Sequence, residues 1–166
     1  MARLPPPDSV TDDARRYGLL AHAPGPLRAF LRLYGGLWQD GVVDQATKEV
    51  VRLRNARTTG CGYCRNVRFD GARAAGLTEE SVALIDDAWA TSTLPVRHKA
   101  AIALTDVVLG RRDAALDVPF APAEVVELAV TAALCLGFSK IAVALGQATA
   151  DMPVMVVPSP TPPAAA

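Results

Sequence analysis

Glu49-Val50-Val51-Arg52-Leu53-Arg54-Asn55-Ala56-Arg57-Thr58-Thr59-Gly60-Cys61-Gly62-Tyr63-Cys64 holds, within 16 residues, an amphipathic helix and a paired-thiol motif. With the upstream Ala46, Val50, Leu53 and Ala56 of the first half form one apolar stripe at helical spacing. Asp44 is a good N-cap for this helix, which is expected to run to about Arg57. Glu49 lies beside the stripe, one turn before Leu53, while Lys48, Arg52 and Arg54 are expected to point elsewhere. The second half sets Cys61 and Cys64 on one turn near the start of a helix expected over about Thr59 to Ala75 and ended by Gly76. Two thiols so spaced can close a small disulfide, and a helix amino end lowers thiol pKa. Arg65 and Arg68 follow the cysteines by four residues, which would put a permanent cation on the helix face of each thiol.

Outward from this stretch, breakers divide the rest of the chain into helices. A short helix is expected after Thr11, and another from near Pro26, a favourable first helical position, to about Trp38. Thr78 caps an acidic helix to about Ala90, and Pro95 starts one to Leu109. Pro122 starts a long apolar pair broken near Gly137. No alternating strand pattern appears. The composition agrees, since 51% of the 166 residues are apolar and only 5% aromatic. Alanine-rich, Val/Leu-striped sequence favours packed helices. The expected class is all-α: one helical domain over residues 10–152, flanked by Pro-rich disordered tails at 1–9 and 153–166.

Lys plus Arg and Asp plus Glu are equal at 17, so the net charge is zero. Nothing here tracks a phosphate backbone or steers toward an anionic membrane, and neither nucleic acid nor membrane is expected as a partner. Leu128 to Leu145 comes nearest to the about 18 uncharged residues of a span, but Gly137 and Lys140 interrupt it. The amino-terminal residues lack the apolar region of a signal peptide, and three cysteines (Cys61, Cys64 and Cys135) are not a secreted disulfide framework. A cytoplasmic protein is expected.

Sliding the chain against itself by 75 positions aligns Ala46, Glu49, Val50, Val51, Leu53, Gly62, Gly71 and Ala75 with identical residues, from Ala121 to Ala150. Tyr63, Cys64 and Arg65 meet Phe138, Ser139 and Lys140. The alternatives are coincidence between amphipathic helix pairs, or a duplicated helical hairpin whose first copy carries chemistry and whose second is scaffold.

The cysteine pair itself allows three readings. Zinc would need two further ligands, and His22, His98 and Cys135 are scattered, so no metal and no cofactor is expected. Inert, buried cysteines are the second. Thiol–disulfide chemistry is the third and fits the spacing and the arginines best, although the βαβ setting of a thioredoxin motif is missing. Glu49, a carboxylate at the edge of a core face, must be paired or protonated. It is either a structural ion pair, with Arg68 or Arg65, or a proton relay beside the thiols. Tyr63 could line the pocket or donate a hydrogen bond. Cys135 reads as a core residue.

Glu49, eleven residues and then Cys61-Gly62-Tyr63-Cys64, on an all-α background, resembles the AhpD-like alkylhydroperoxidases of the carboxymuconolactone decarboxylase superfamily. The resemblance runs from about Leu20 to Ala150, and Gly137 to Leu145 resembles the family's last core helix. It implies a compact helical domain with an internal duplicated helical hairpin, assembled into trimers or hexamers. It also implies reduction of organic hydroperoxides: one cysteine, by the resemblance Cys64, attacks the peroxide. The other closes a disulfide, and an external dithiol such as a lipoyl group restores both. Glu49, Cys61 and Cys64 match the family motif. Tyr63 and Arg68 stand where it has histidines, and an arginine cannot relay a proton. The expected catalytic set is thus Cys61, Cys64, Glu49, Arg68 and Tyr63. The superfamily also implies an alternative: a decarboxylase or related lyase in which Glu49 and Arg68 handle an organic acid and the cysteines are not essential.

Overall fold

A computed structural model of the chain describes residues 18–113, 118–147 and 152–162. The helices are α1 (Pro24–Gln39), α2 (Gln45–Thr59), α3 (Gly62–Asn66), α4 (Asp70–Ala74), α5 (Glu79–Ala83), α6 (Val96–Val108) and α7 (Pro122–Ala144). Short 3-10 turns lie at Gly18–His22 and Trp89–Thr91, and two strands, β1 (Val67–Phe69) and β2 (Met155–Val157), pair in parallel. The helix expected after Thr11 and the tail at 1–9 lie outside the described residues.

Asp44 begins α2 by accepting the Thr47 N–H at 2.8 Å. Gly60 ends it in the left-handed conformation, φ 69°, with its N–H on the Ala56 and Arg57 carbonyls. The helix packs chiefly on α7 and α6, and Ala46 to Ala56 are buried without a break. Lys48, Arg52 and Arg54, expected to point elsewhere, therefore point into protein. Each meets the demand that a buried charge be partnered. Lys48 reaches Glu127 at 3.1 Å and Arg54 reaches Asp106 at 2.7 Å. Asn55 Nδ2 donates to the Ala132 carbonyl at 2.9 Å. One apolar cluster gathers Trp38, Val50, Leu53, Phe69, Ile85 and Ile102, and a second places Val51 against Leu104 and Leu128.

Besides the acidic helix capped by Thr78, which ends at Ala83 rather than near Ala90, three features differ from the sequence expectations. The cysteine helix is not continuous to Ala75: it stops at Asn66, runs extended through β1 and resumes as α4. The extended stretch is supplied with hydrogen bonds from afar, by β2 and by Arg52, which donates to the Cys64 and Val67 carbonyls. Conversely, α7 runs unbroken through Gly137, an exposed site where a glycine costs a helix only about 1 kcal/mol.

The third difference is the carboxy-terminal run expected as a disordered tail. Over residues 152–162 it is seated on the domain. Val67 pairs with Met155 and Phe69 with Val157. Gln39 Nε2 donates to the Pro160 carbonyl at 2.7 Å, and Ser159 Oγ accepts the Gly71 N–H at 3.0 Å. A side chain at Gly35 would collide with the Pro162 backbone, so the run lies directly on α1. Residues 163–166 of the expected tail lie outside the described residues.

The segments related by the 75-residue offset are both largely helical but differ in continuity. The first is helix, break and helix, whereas its counterpart is the single helix α7. Their environments differ too, since Val51 is buried and Val126 is 63% exposed. At 23 residues α7 is also long and apolar enough to cross a membrane. Here Leu128, Ala132, Cys135 and Ala142 bury one of its faces in the domain.

Candidate active site

Gly60 turns the chain out of α2 and delivers Cys61 as the N-cap of α3, where its sulfur accepts the Cys64 N–H at 3.2 Å. Cys61 and Cys64 are joined by a disulfide, their Cα atoms 5.3 Å apart. Access separates them. Cys61 is fully enclosed, while Cys64 lines a small cavity of about 50 Å³. The cavity wall is largely aromatic and aliphatic, with Phe30, Tyr34, Tyr63, Phe69 and Phe138 contributing rings. Val157 and Pro158, from the carboxy-terminal run, close one side.

Glu49 is fully buried behind this cavity. Its carboxylate is clasped by Arg52, Nε to Oε2 at 2.7 Å and Nη2 to Oε1 at 2.6 Å, and accepts the Phe69 N–H at 3.4 Å. The structural partner expected for it was Arg68 or Arg65; the one observed is Arg52. Burial pulls the Arg52 guanidinium toward neutrality, but the Glu49 charge outweighs it and the net shift is upward, so Arg52 stays charged.

Arg68 lies elsewhere. Because the helix breaks at Val67, Arg68 is not one turn beyond Cys64 but on β1. Its guanidinium binds Glu79 at 3.1 Å and the carbonyls of Arg65 and Val67, and it is absent from the cavity wall. Arg65 is exposed. The structure thus brings Cys64, Tyr63 and, through Arg52, Glu49 around one cavity, and leaves Arg68 outside it.

Three residues were not singled out as site groups from sequence. Arg52 lines the cavity; its buried role could have been suspected from Glu49 three residues before it. Ser139 places its hydroxyl 3.5 Å from Cys64 Sγ. The 75-residue offset had aligned these two residues, although Ser139 was read there as scaffold. Cys135, read as core, is buried and also lines the cavity. Its thiol is pushed up to about 12 by burial, with Arg52 and Tyr34 acting in the opposite direction, so it is neutral at ordinary pH.

A model of the carboxymuconolactone decarboxylase family matches residues 24–107, just over half of the chain. The chain belongs to that family. The matched span holds Glu49, Arg52 and both motif cysteines, while α7 and β2 lie beyond it. A crystal structure from Agrobacterium tumefaciens, of a protein of unknown function named as a candidate antioxidant defence protein AhpD, is similar with a TM-score of 0.65. The likeness covers 79% of this chain and 94% of that one at 22% identity, and it establishes the all-α AhpD-like fold. Uncharacterized protein 4 in the cox locus of Paracoccus denitrificans is 35% identical over 54 residues, 32% of this chain. The match spans about half the length of that curated relative, 49%.

Proposed function

We propose that this family member is a thiol-dependent peroxidase or disulfide oxidoreductase that reduces organic hydroperoxides through Cys61 and Cys64. The observation that carries the reading is the asymmetry of the pair: Cys64 opens on an apolar cavity and Cys61 is sealed behind it, bonded to it. That favours Cys64 as the attacking thiol, as the family resemblance implies, over Cys61 at the amino end of α3.

In the reduced protein the Cys64 thiolate attacks the distal peroxide oxygen. The O–O bond breaks, Cys64 becomes a sulfenic acid, and the alkoxide leaves as the alcohol after taking a proton from Tyr63, Ser139 or water. Cys61 then attacks the Cys64 sulfur, expelling water and forming the disulfide. An external dithiol reduces it by exchange, its own two thiols becoming a disulfide. Such a cycle belongs in a thiol-reducing compartment such as the cytoplasm. Assembly into a homo-oligomer, trimer or hexamer, is part of the same proposal. The apolar Val126, Val130 and Ile141 exposed along α7 support it.

The lyase alternative asks Glu49 and Arg68 to face one substrate. Their bonds to different partners, Arg52 and Glu79, favour the thiol reading. The deciding experiment mixes reduced protein with cumene hydroperoxide. One equivalent should be consumed as the Cys61–Cys64 disulfide forms. Consumption by Cys64→Ser at the wild-type rate would end the proposal.

A further inference from the structure

Arg52 is the one charged residue among the described residues that line the cavity. Its guanidinium holds both oxygens of Glu49 on one side and the carbonyls of Cys64 and Val67 on the other, the last two at 2.5 Å. It also lies over the Phe69 ring, 5.0 Å from the centroid. The side chain is buried, 5% exposed.

We propose that Arg52, with Glu49 as its counter-charge, sets the acidity of the Cys64 thiol and so its reactivity. This rests on the thiol reading above and deepens it by naming the positioning residue of the attacking thiol. Covalent geometry keeps a cysteine sulfur within about 5 Å of its own carbonyl oxygen. A cation bonded to that oxygen is therefore near the sulfur, in surroundings where charges are weakly screened.

The ion pair has a direction. Arg52 is the member bonded to the Cys64 carbonyl, and the remaining bond of Glu49 goes to Phe69 N–H, so it is the positive end that sits against the Cys64 backbone. The other titratable groups around the cavity are Tyr34 on α1, Tyr63 on α3 and Cys135 on α7. Arg68, on β1, is turned to Glu79, and Arg65 and Lys140 are exposed. None of these duplicates the placement of Arg52.

A directed pair has a consequence that a structural brace lacks: removing its two ends moves the thiol in opposite senses. Without the cation the thiolate faces Glu49 alone and the thiol becomes less acidic. Without the carboxylate the cation is uncompensated and the thiol becomes more acidic.

The test measures iodoacetamide alkylation of Cys64 against pH in reduced Cys61→Ser protein, with the labelled residue located by mass spectrometry. Arg52→Met should slow alkylation at pH 7 by about tenfold, the effect of a one-unit rise in pKa. Glu49→Gln should speed it, and Arg52→Lys should stay closer to wild type than Arg52→Met. Shifts in the same direction for Arg52→Met and Glu49→Gln, or no shift in either, overturn the proposal. If Arg52→Met does not fold, Glu49→Gln decides alone, and an unchanged or slower alkylation there overturns it. Peroxide consumption is followed separately. Opposite thiol shifts in a protein that ignores peroxide would refute the peroxidase reading and leave this one intact, whereas peroxide turnover with unmoved thiols does the reverse.

Discussion

Ser139 Oγ stands 3.5 Å from Cys64 Sγ, a hydroxyl from the last helix facing the sulfur of a cysteine in the third. In the reduced protein that hydroxyl can donate to the thiolate, an interaction of about 1 kcal/mol. Ser139→Ala should slow peroxide reduction by about fivefold at neutral pH while leaving the urea midpoint almost unchanged. Stopped-flow peroxide consumption and equilibrium unfolding check the two halves.

Arg68 gives the complementary case. Its partner Glu79 is about half exposed, so the ion pair contributes little, and its carbonyl contacts add a modest amount. Arg68→Ala should cost about 1 kcal/mol of stability and leave the Cys64 alkylation profile in place. An alkylation profile displaced as far as that of Arg52→Met would return Arg68 to the site.

Arg54 and Asp106 form a buried pair joined at 2.7 and 2.9 Å, with Trp89 Nε1 also on the carboxylate at 3.3 Å. Asp106→Ala leaves the buried guanidinium only the Asp86 carbonyl and the exposed Asp87 carboxylate, at 2.7 and 3.0 Å, and should destabilise the fold by about 3 kcal/mol in urea unfolding. Replacing both residues with apolar ones should recover much of that loss.

Two groups illustrate the acid sensitivity of the fold. Burial lowers the pKa of His98, which holds it neutral in the folded chain. Between its folded pKa and the ordinary 6.5 the unfolded chain binds the extra proton, so stability is present above 6.5 and falls as pH drops through that window. Asp44 shifts down on balance: burial opposes its ionisation, but hydrogen bonds from Thr47 and Arg97 prevail. Its contribution is therefore present above pH 3.8 and lost below. Thermal melts of wild type from about pH 7 to 5 should fall, and His98→Gln should flatten that segment.

The carboxy-terminal run is the cavity's removable wall. A chain ending at Gln147 loses Val157 and Pro158 from it, along with the pairing partner of β1. Alkylation of reduced Cys64 should accelerate several-fold and the melting temperature should fall. Unchanged alkylation would mean that the wall does not limit access.

Much of this was legible in the sequence because it is local. The Asp44 cap, the Pro95 start, the Gly76 stop and the placing of Cys61 and Cys64 on one turn depend on near neighbours. The break after Cys64 was not legible, because what stabilises Val67–Phe69 as a strand is Met155–Val157, far along the chain and read as a proline-rich tail. That one omission carried Arg68 onto the wrong side of the site. The burial of Lys48, Arg52 and Arg54 was hidden for a related reason. A charged residue reads as solvent-facing until its partner is known, and for Lys48 and Arg54 the partners Glu127 and Asp106 come from other helices.

The parallel pairing of β1 with β2 has a consequence for how the protein is made. The paired thiols emerge from synthesis well before the strand that walls them in, and the closing contact spans most of the domain. Long-range pairing of this kind forms late. A nascent chain therefore presents Cys64 without its wall, and it is completion of the chain, rather than folding of the family-matched span, that finishes the cavity around the sulfur.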